Sequence, residues 1–224
     1  MKKKVFLSIR LLLTVCIAAL VFSSCGKDDD PKPDNTNNQG GGSLTTDPGV
    51  MINGIKWATR NVDKPGTFAA KPEDPGMFYQ WNSKVGWKYS EPLTPSDGTS
   101  TWNSSWNGNN ATAWEKSNDP CPKGWRMPSQ GELNALVSSG SVWKSVNSMN
   151  GRQFGSGSNT IFLPAAGYRG GSDGTLGDAG SGGGYWSSTA NDAHYSYYLR
   201  FGSGSAYTSY NDRYFGLSCR CVAE

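Results

Sequence analysis

Histidine is almost missing from this 224-residue chain, in which His194 is the single one. Hydrolytic triads with an imidazole base and most zinc sites need histidine, and the one present lies in a stretch rich in expected surface residues, while no His/Cys cluster has zinc-ligand spacing. Cysteine is sparse at five residues, and Cys219-Arg220-Cys221 lacks the two intervening residues of a thioredoxin-like pair. Carboxylates are not gathered either: Glu73, Glu91, Glu115 and Glu132 are scattered, so no glycosidase-type pair stands out. Glycine-rich stretches such as Gly170-Gly171 and Gly182-Gly183-Gly184 are not followed by a lysine in a strand–loop–helix context, so they read as tight turns and backbone packing, not as a phosphate cradle. Together these absences predict a protein that is not an enzyme.

Long hydrophobic runs are also lacking. The one apolar run, residues 11–22, is too short for a helix across a ~30 Å hydrocarbon core. Lys2, Lys3, Lys4 and Arg10 precede it and small residues close it, which is the pattern of a signal peptide over residues 1–24. The closing string Leu20-Val21-Phe22-Ser23-Ser24-Cys25 resembles the lipobox of bacterial lipoproteins, with Phe22 where Leu is commoner. That resemblance implies acylation at Cys25, and buried acyl methylenes would hold the chain at a bilayer. Gly26-Lys27-Asp28-Asp29-Asp30 resembles the acidic export signal of Bacteroidetes lipoproteins, which implies the outer membrane and its exterior face. The remainder of residues 25–48, with Pro31, Pro33 and Gly40-Gly41-Gly42, reads as a flexible tether.

An excess of positive charge is missing from the expected mature chain. From Cys25 onward there are 17 Lys plus Arg and 18 Asp plus Glu, a net charge of −1 against +3 for the whole sequence. Nucleic acid is therefore not an expected partner. Residues 49–224 are enough for one domain with a real core.

What that domain has in quantity is aromatic residues and glycine. Eight of the nine tryptophans lie between residues 57 and 143. Ile52-Asn53-Gly54-Ile55-Lys56-Trp57 predicts a hairpin. Met77-Phe78-Tyr79-Gln80-Trp81 reads as a short aromatic strand. Trp87, Trp102, Trp106 and Trp114 either pin an ordered excursion over residues 82–118 or present a sugar-stacking platform. Ser129 and Glu132 form a capping-box pattern before the stripe Leu133, Leu136 and Val137, which predicts a helix ending by Gly140. The string from Ile161 to Gly167 predicts a central strand, Tyr185-Trp186-Ser187-Ser188 another, and residues 216–222 a closing one. Tyr197, Leu199 and Phe201 alternate with Tyr198, Arg200 and Gly202, so period-two geometry predicts the first set inward and the second outward. On a strand, Cys219 and Cys221 would point the same way, so either could pair with Cys121.

Several strings in order carry a family resemblance: Trp57-Ala58-Thr59-Arg60-Asn61-Val62, Tyr79-Gln80-Trp81-Asn82, Cys121-Pro122-Lys123-Gly124-Trp125-Arg126-Met127-Pro128-Ser129, Phe162-Leu163-Pro164-Ala165-Ala166-Gly167-Tyr168-Arg169, Gly184-Tyr185-Trp186-Ser187-Ser188 and Arg220-Cys221-Val222. Over residues 50–223 the chain resembles the Fibrobacter succinogenes major paralogous domain of Bacteroidetes surface lipoproteins, itself similar to the C-type lectin-like superfamily. The resemblance implies an α+β, C-type lectin-like fold: a mixed, largely antiparallel sheet, one or two helices and long ordered loops. It also implies a Cys121–Cys221 disulfide, and leaves Cys219 where relatives carry an apolar residue. Formylglycine-generating enzymes share the superfamily, but their reactive cysteines are more widely spaced than Cys219 and Cys221.

Residues 186–222 resemble, in addition, the variable repeat of retroelement-diversified receptors. Trp186-Ser187-Ser188, Leu199, Phe201, Gly216 and Arg220-Cys221-Val222 would be its constant frame. Seven of the ten tyrosines lie in residues 185–214. A mixture of Tyr, Ser, Gly and Asn suits a recognition surface, because tyrosine supplies apolar area and a polar tip at low entropy cost. The expected ligand-binding residues are Asn191, Asp192, His194, Tyr195, Tyr198, Arg200, Tyr207, Tyr210, Asn211, Asp212 and Tyr214. Their partner would be a protein or glycan on another cell, a host or a phage, with protein favoured because a broad aromatic patch suits a flat epitope. The alternatives are a fixed-specificity glycan-binding adhesin using Trp102 and Trp106, and a structural component of a surface assembly. No cofactor is expected; calcium would draw on Asp173, Asp178, Asn191 and Asp192.

Overall fold

A computed structural model describes residues 44–224. The expected signal peptide, Cys25 and most of the tether lie outside the described residues. Val50–Ile52 (β1) and Ile55–Trp57 (β2) form the expected hairpin. Asn53 and Gly54 between them have φ of 50° and 77°, the left-handed pair that a two-residue primed turn requires. Met77–Gln80 (β3) pairs with Gly86–Lys88 (β4), and Trp125–Arg126 (β5) leads towards the helix.

The helix α1 covers Gln130–Ser138 and begins as its sequence dictates. Ser129 Oγ accepts from Glu132 N, and Glu132 Oε2 accepts from Ser129 N at 2.7 Å. Each partner satisfies an amide that the first turn would leave open. Leu133 and Leu136 are buried, and Gly140 (φ 82°) ends the element.

Ser141–Val146 (β6), Met149–Ser156 (β7) and Asn159–Pro164 (β8) form a meander. Tyr168–Arg169 (β9), Leu176–Gly177 (β10), Gly182–Ala190 (β11), Tyr195–Gly202 (β12), Ala206–Asp212 (β13), Gly216–Ser218 (β14) and Val222–Ala223 (β15) complete the chain. The largest sheet runs β10-β9-β14-β11-β12-β13, with β3 and then β4 joined to it through β14. A second sheet runs β1-β2-β15-β5, and the meander is the third. Every strand pair is antiparallel except β11 with β14. The fold is thus α+β, mostly antiparallel, with one α-helix among the described residues.

Three element expectations are corrected. Residues 216–222 are not one strand: β14 and β15 belong to different sheets, with residues 219–221 passing between them. The strand at 159–164 is an edge of the meander, not central; it is buried because β1 packs beside it. Tyr198 does not face outward. It is 8% exposed, with its ring 6.0 Å from Trp186, because at this position β12 is covered on both faces, whereas Arg200 two residues on is exposed as expected.

Those two coverings are the two cores. On one side Leu199 and Phe201 meet α1 through Leu133 and Leu136, together with Phe154 and Tyr185. On the other, Tyr198 and Trp186 join Tyr79, Trp81, Met127 and the cysteines. Cys121 and Cys221 are disulfide-bonded, as the resemblance implied, with Cα atoms 6.0 Å apart. Cys219 is a free, buried thiol, and burial pushes its pKa well above the usual value. Arg220, between them, is fully enclosed. Its guanidinium donates to Asn61 Oδ1, Ala58 O and Phe162 O, and burial lowers its pKa to about 10.

Candidate functional site

The edge of the large sheet is a hairpin of β12 and β13, and β11 beside it begins with three glycines. Gly182 lies opposite Gly202 and Gly184 opposite Arg200. Where neighbouring strands carry no side chains, the surface sinks. The result is a cleft of about 390 Å³ floored by these glycines. Tyr168 and Phe215 form one wall, their ring centroids 5.8 Å apart. Tyr198, Arg200 and Tyr207 form the other, Arg200 and Tyr207 being direct cross-strand partners. Burial raises the pKa of the Tyr198 phenol, and that phenol in turn raises the pKa of Arg200. A fixed cation among tyrosine rings can orient a polar group while the rings supply apolar area.

The eleven expected residues do not form one patch. Tyr198, Arg200, Tyr207 and Asn211 line the cleft. Tyr195 and Tyr210 pair on the opposite face of the hairpin, their rings 5.6 Å apart, with Asp212 across from Tyr195. Asn191, Asp192 and His194 occupy the exposed β11–β12 turn. There Asp192 Oδ1 accepts from the amides of His194 and Tyr195, both at 2.8 Å, which holds its carboxyl below the usual range. Tyr214 stacks on Phe215 at 5.5 Å, beside the glycine backbone at Gly171. Within β12 and β13 the strand pleat accounts for the division, since residues of opposite parity on one strand take opposite faces.

Of the four residues considered for calcium, Asp173 accepts from Thr175 N, Asp178 lines the cleft, and Asn191 donates to Asp192. Among the described residues no group of three or more His, Cys, Asp or Glu is placed to hold a metal ion. Trp102 and Trp106 lie elsewhere, on a separate recess.

Arg213 is the residue that sequence reasoning missed. It is 1% exposed, with its guanidinium 4.2 Å from the centroid of Trp81. One terminal nitrogen donates to Asn107 O and Ala111 O, and the other donates to Asp192 O. Its amide donates to His194 O at 3.0 Å. One buried side chain thereby fixes the 191–194 turn and anchors the tryptophan-rich excursion beneath it. Its partners are backbone carbonyls, so no side-chain pattern announces it.

Residues 137–222 match the model of a family described as a domain of unknown function (DUF8237). No curated protein and no solved structure matches the chain. The DUF8237 match covers less than half of the sequence, running from the end of α1 to the start of β15. It contains the meander, the glycine floor and the whole β11–β13 unit, but not β1 to β5, the excursion or Cys121.

Proposed function

We propose that this chain is a non-catalytic, ligand-binding surface lipoprotein. In this reading Cys25 is acylated, the 25–48 tether holds a C-type lectin-like domain outside the outer membrane, and the partner is a protein or glycan on another cell, a host or a phage. The single observation that carries it is the β12–β13 hairpin. Tyr207 and Tyr210 keep 47% and 56% of their surface exposed, on a hairpin fastened to α1 and flanked by the glycine-floored cleft. Exposed tyrosine on a rigid scaffold is the composition of recognition surfaces.

Burial also supports a diversified receptor of the retroelement type. Of the residues that would be the constant frame, Trp186, Ser187, Leu199, Phe201, Arg220, Cys221 and Val222 are each at most 2% exposed, Gly216 is buried and Ser188 is half-buried. The residues between them that point to solvent, such as Asn191, Arg200, Tyr207 and Tyr210, can change without disturbing either core. The lectin-like assignment draws support from β15 pairing with β2, which brings the two ends of the domain together around a long ordered excursion.

Sequencing the gene and its flanks in a clonal culture and in related isolates tests this reading. Adenine-linked changes confined to codons 190–215, beside a near-copy template, are the expected result. A uniform sequence with no template overturns diversification and leaves a receptor of fixed specificity. Loss of lipid labelling in Cys25→Ser, with loss of protease accessibility on intact cells, checks the anchoring.

A further inference from the structure

The tryptophan-rich excursion builds a recess away from the hairpin cleft. It has a volume of about 570 Å³, within the range of small-molecule sites. Trp87 and Gln80, each 3% exposed, form its floor, and half-buried Trp102 and Trp106 rise around it. The Trp87 and Trp102 rings are 5.2 Å apart at 70°.

The indole N–H groups of the two walls are already committed. Trp102 Nε1 donates to Gly171 O at 2.8 Å, and Trp106 Nε1 donates to Trp81 O at 2.7 Å. Each ring is locked at one angle and offers only carbon to the recess. Gln80 is committed in the complementary way. Its Nε2 donates to Asn103 O and Tyr214 O, while among the described residues its Oε1 accepts nothing. Asn103 Oδ1 accepts from Ser105 N, which leaves its Nδ2 as a donor at the rim beside the Thr101 and Ser104 hydroxyls.

None of the residues lining the recess is ionisable. An ion entering it would lose hydration without gaining a counter-charge. A wholly apolar guest would leave the amide and hydroxyls without water. The lining suits a molecule with a flat C–H face and a rim of neutral hydroxyls. Axial C–H bonds of a pyranose present partial positive charge to the negative face of an aromatic ring. We propose that this recess is a second binding site, for a neutral pyranose unit of a glycan. The ring stacks on Trp106 or Trp102, one sugar hydroxyl donates to Gln80 Oε1, and others accept from Asn103 Nδ2 and Thr101.

The test titrates the full chain with neutral gluco-, manno- and galacto-oligosaccharides and with their uronic acid counterparts, read by tryptophan fluorescence and calorimetry. Binding of at least one neutral oligosaccharide in the millimolar range or tighter is expected, with the matching uronate about tenfold weaker. Trp106→Ala should weaken it about tenfold. Thr101→Asp, which adds a charge at an exposed rim position without touching the core, should do the same with an unchanged melting temperature. Tyr207→Ala should leave sugar binding intact. The proposal is overturned if no neutral oligosaccharide binds, if uronates bind equally well, or if binding survives both recess variants. Loss of sugar binding in Tyr207→Ala alone would also overturn it, while placing the sugar on the hairpin face and so upholding the receptor reading.

Discussion

Arg213 shows how one buried side chain can set the shape of an exposed turn. Its guanidinium holds three backbone carbonyls, from Asn107, Ala111 and Asp192, on two separate segments. Replacing it leaves buried acceptors unpaired, at about 1–3 kcal/mol for each that water cannot reach. Arg213→Met is therefore expected to lose about 3 kcal/mol in urea unfolding, and to loosen the 191–194 turn in amide exchange. Arg200→Ala and Tyr207→Ala sit on exposed positions, and should change stability by no more than about 0.5 kcal/mol while weakening partner capture. Cys219 gives a third expectation at this scale. Fully enclosed and with its thiol pKa pushed up by burial, it should resist iodoacetamide in the native protein and label only after unfolding, as mass spectrometry can map.

Among the elements, legibility followed how local the determinants are. The β1–β2 hairpin and α1 were readable because Asn53-Gly54 and the Ser129/Glu132 box act within a few residues. Of the meander only β8 was, and β6 and β7 were not. β6 alternates no buried residue with an exposed one, its side chains being only half-covered or exposed, so its strand character comes from β7 beside it. Tyr198 was misplaced for a different reason. Alternation assigns side chains to two faces but does not say that both are covered, and the cover on its side comes from Trp186. The cleft escaped notice because its floor is made of absent side chains, Gly182 and Gly184. Filling it is a direct check: Gly202→Val places a β-branched side chain in open space on the cleft face, where the nearest obstacle to a Cβ is Ser181 O at 3.5 Å. Stability should hold, and ligand capture should fall. The helix carries a pH dependence of known sign. Arg126 donates to both oxygens of Glu132, at 2.7 and 2.9 Å, and holds its carboxyl below the usual 4.5. A depressed folded pKa means stability that is present above the unfolded value and lost as pH falls through the folded one. Below about pH 4.5 the wild type should lose stability more steeply than Glu132→Gln, measured by urea midpoints across the acid range.

For the molecule as a whole, the disulfide and the C-terminal strands decide whether there is a fold. Cys121 and Cys221 are 100 residues apart, so reducing their bond frees a long loop in the unfolded chain. A loss of about 4 kcal/mol is expected on reduction or in the Cys121→Ser/Cys221→Ser pair, visible in calorimetry. Residues 216–223 carry a further consequence. β14 is the junction through which β3, β9 and β11 become one sheet, and β15 is the link between β2 and β5. Both are made after every other strand described, by a ribosome adding about 5–20 residues each second. Until they emerge, the earlier strands have neighbours only in prospect. A nascent chain that lacks β14 and β15 remains an unfinished arch, and a stop codon placed just after β13 should be as damaging as one placed before β3.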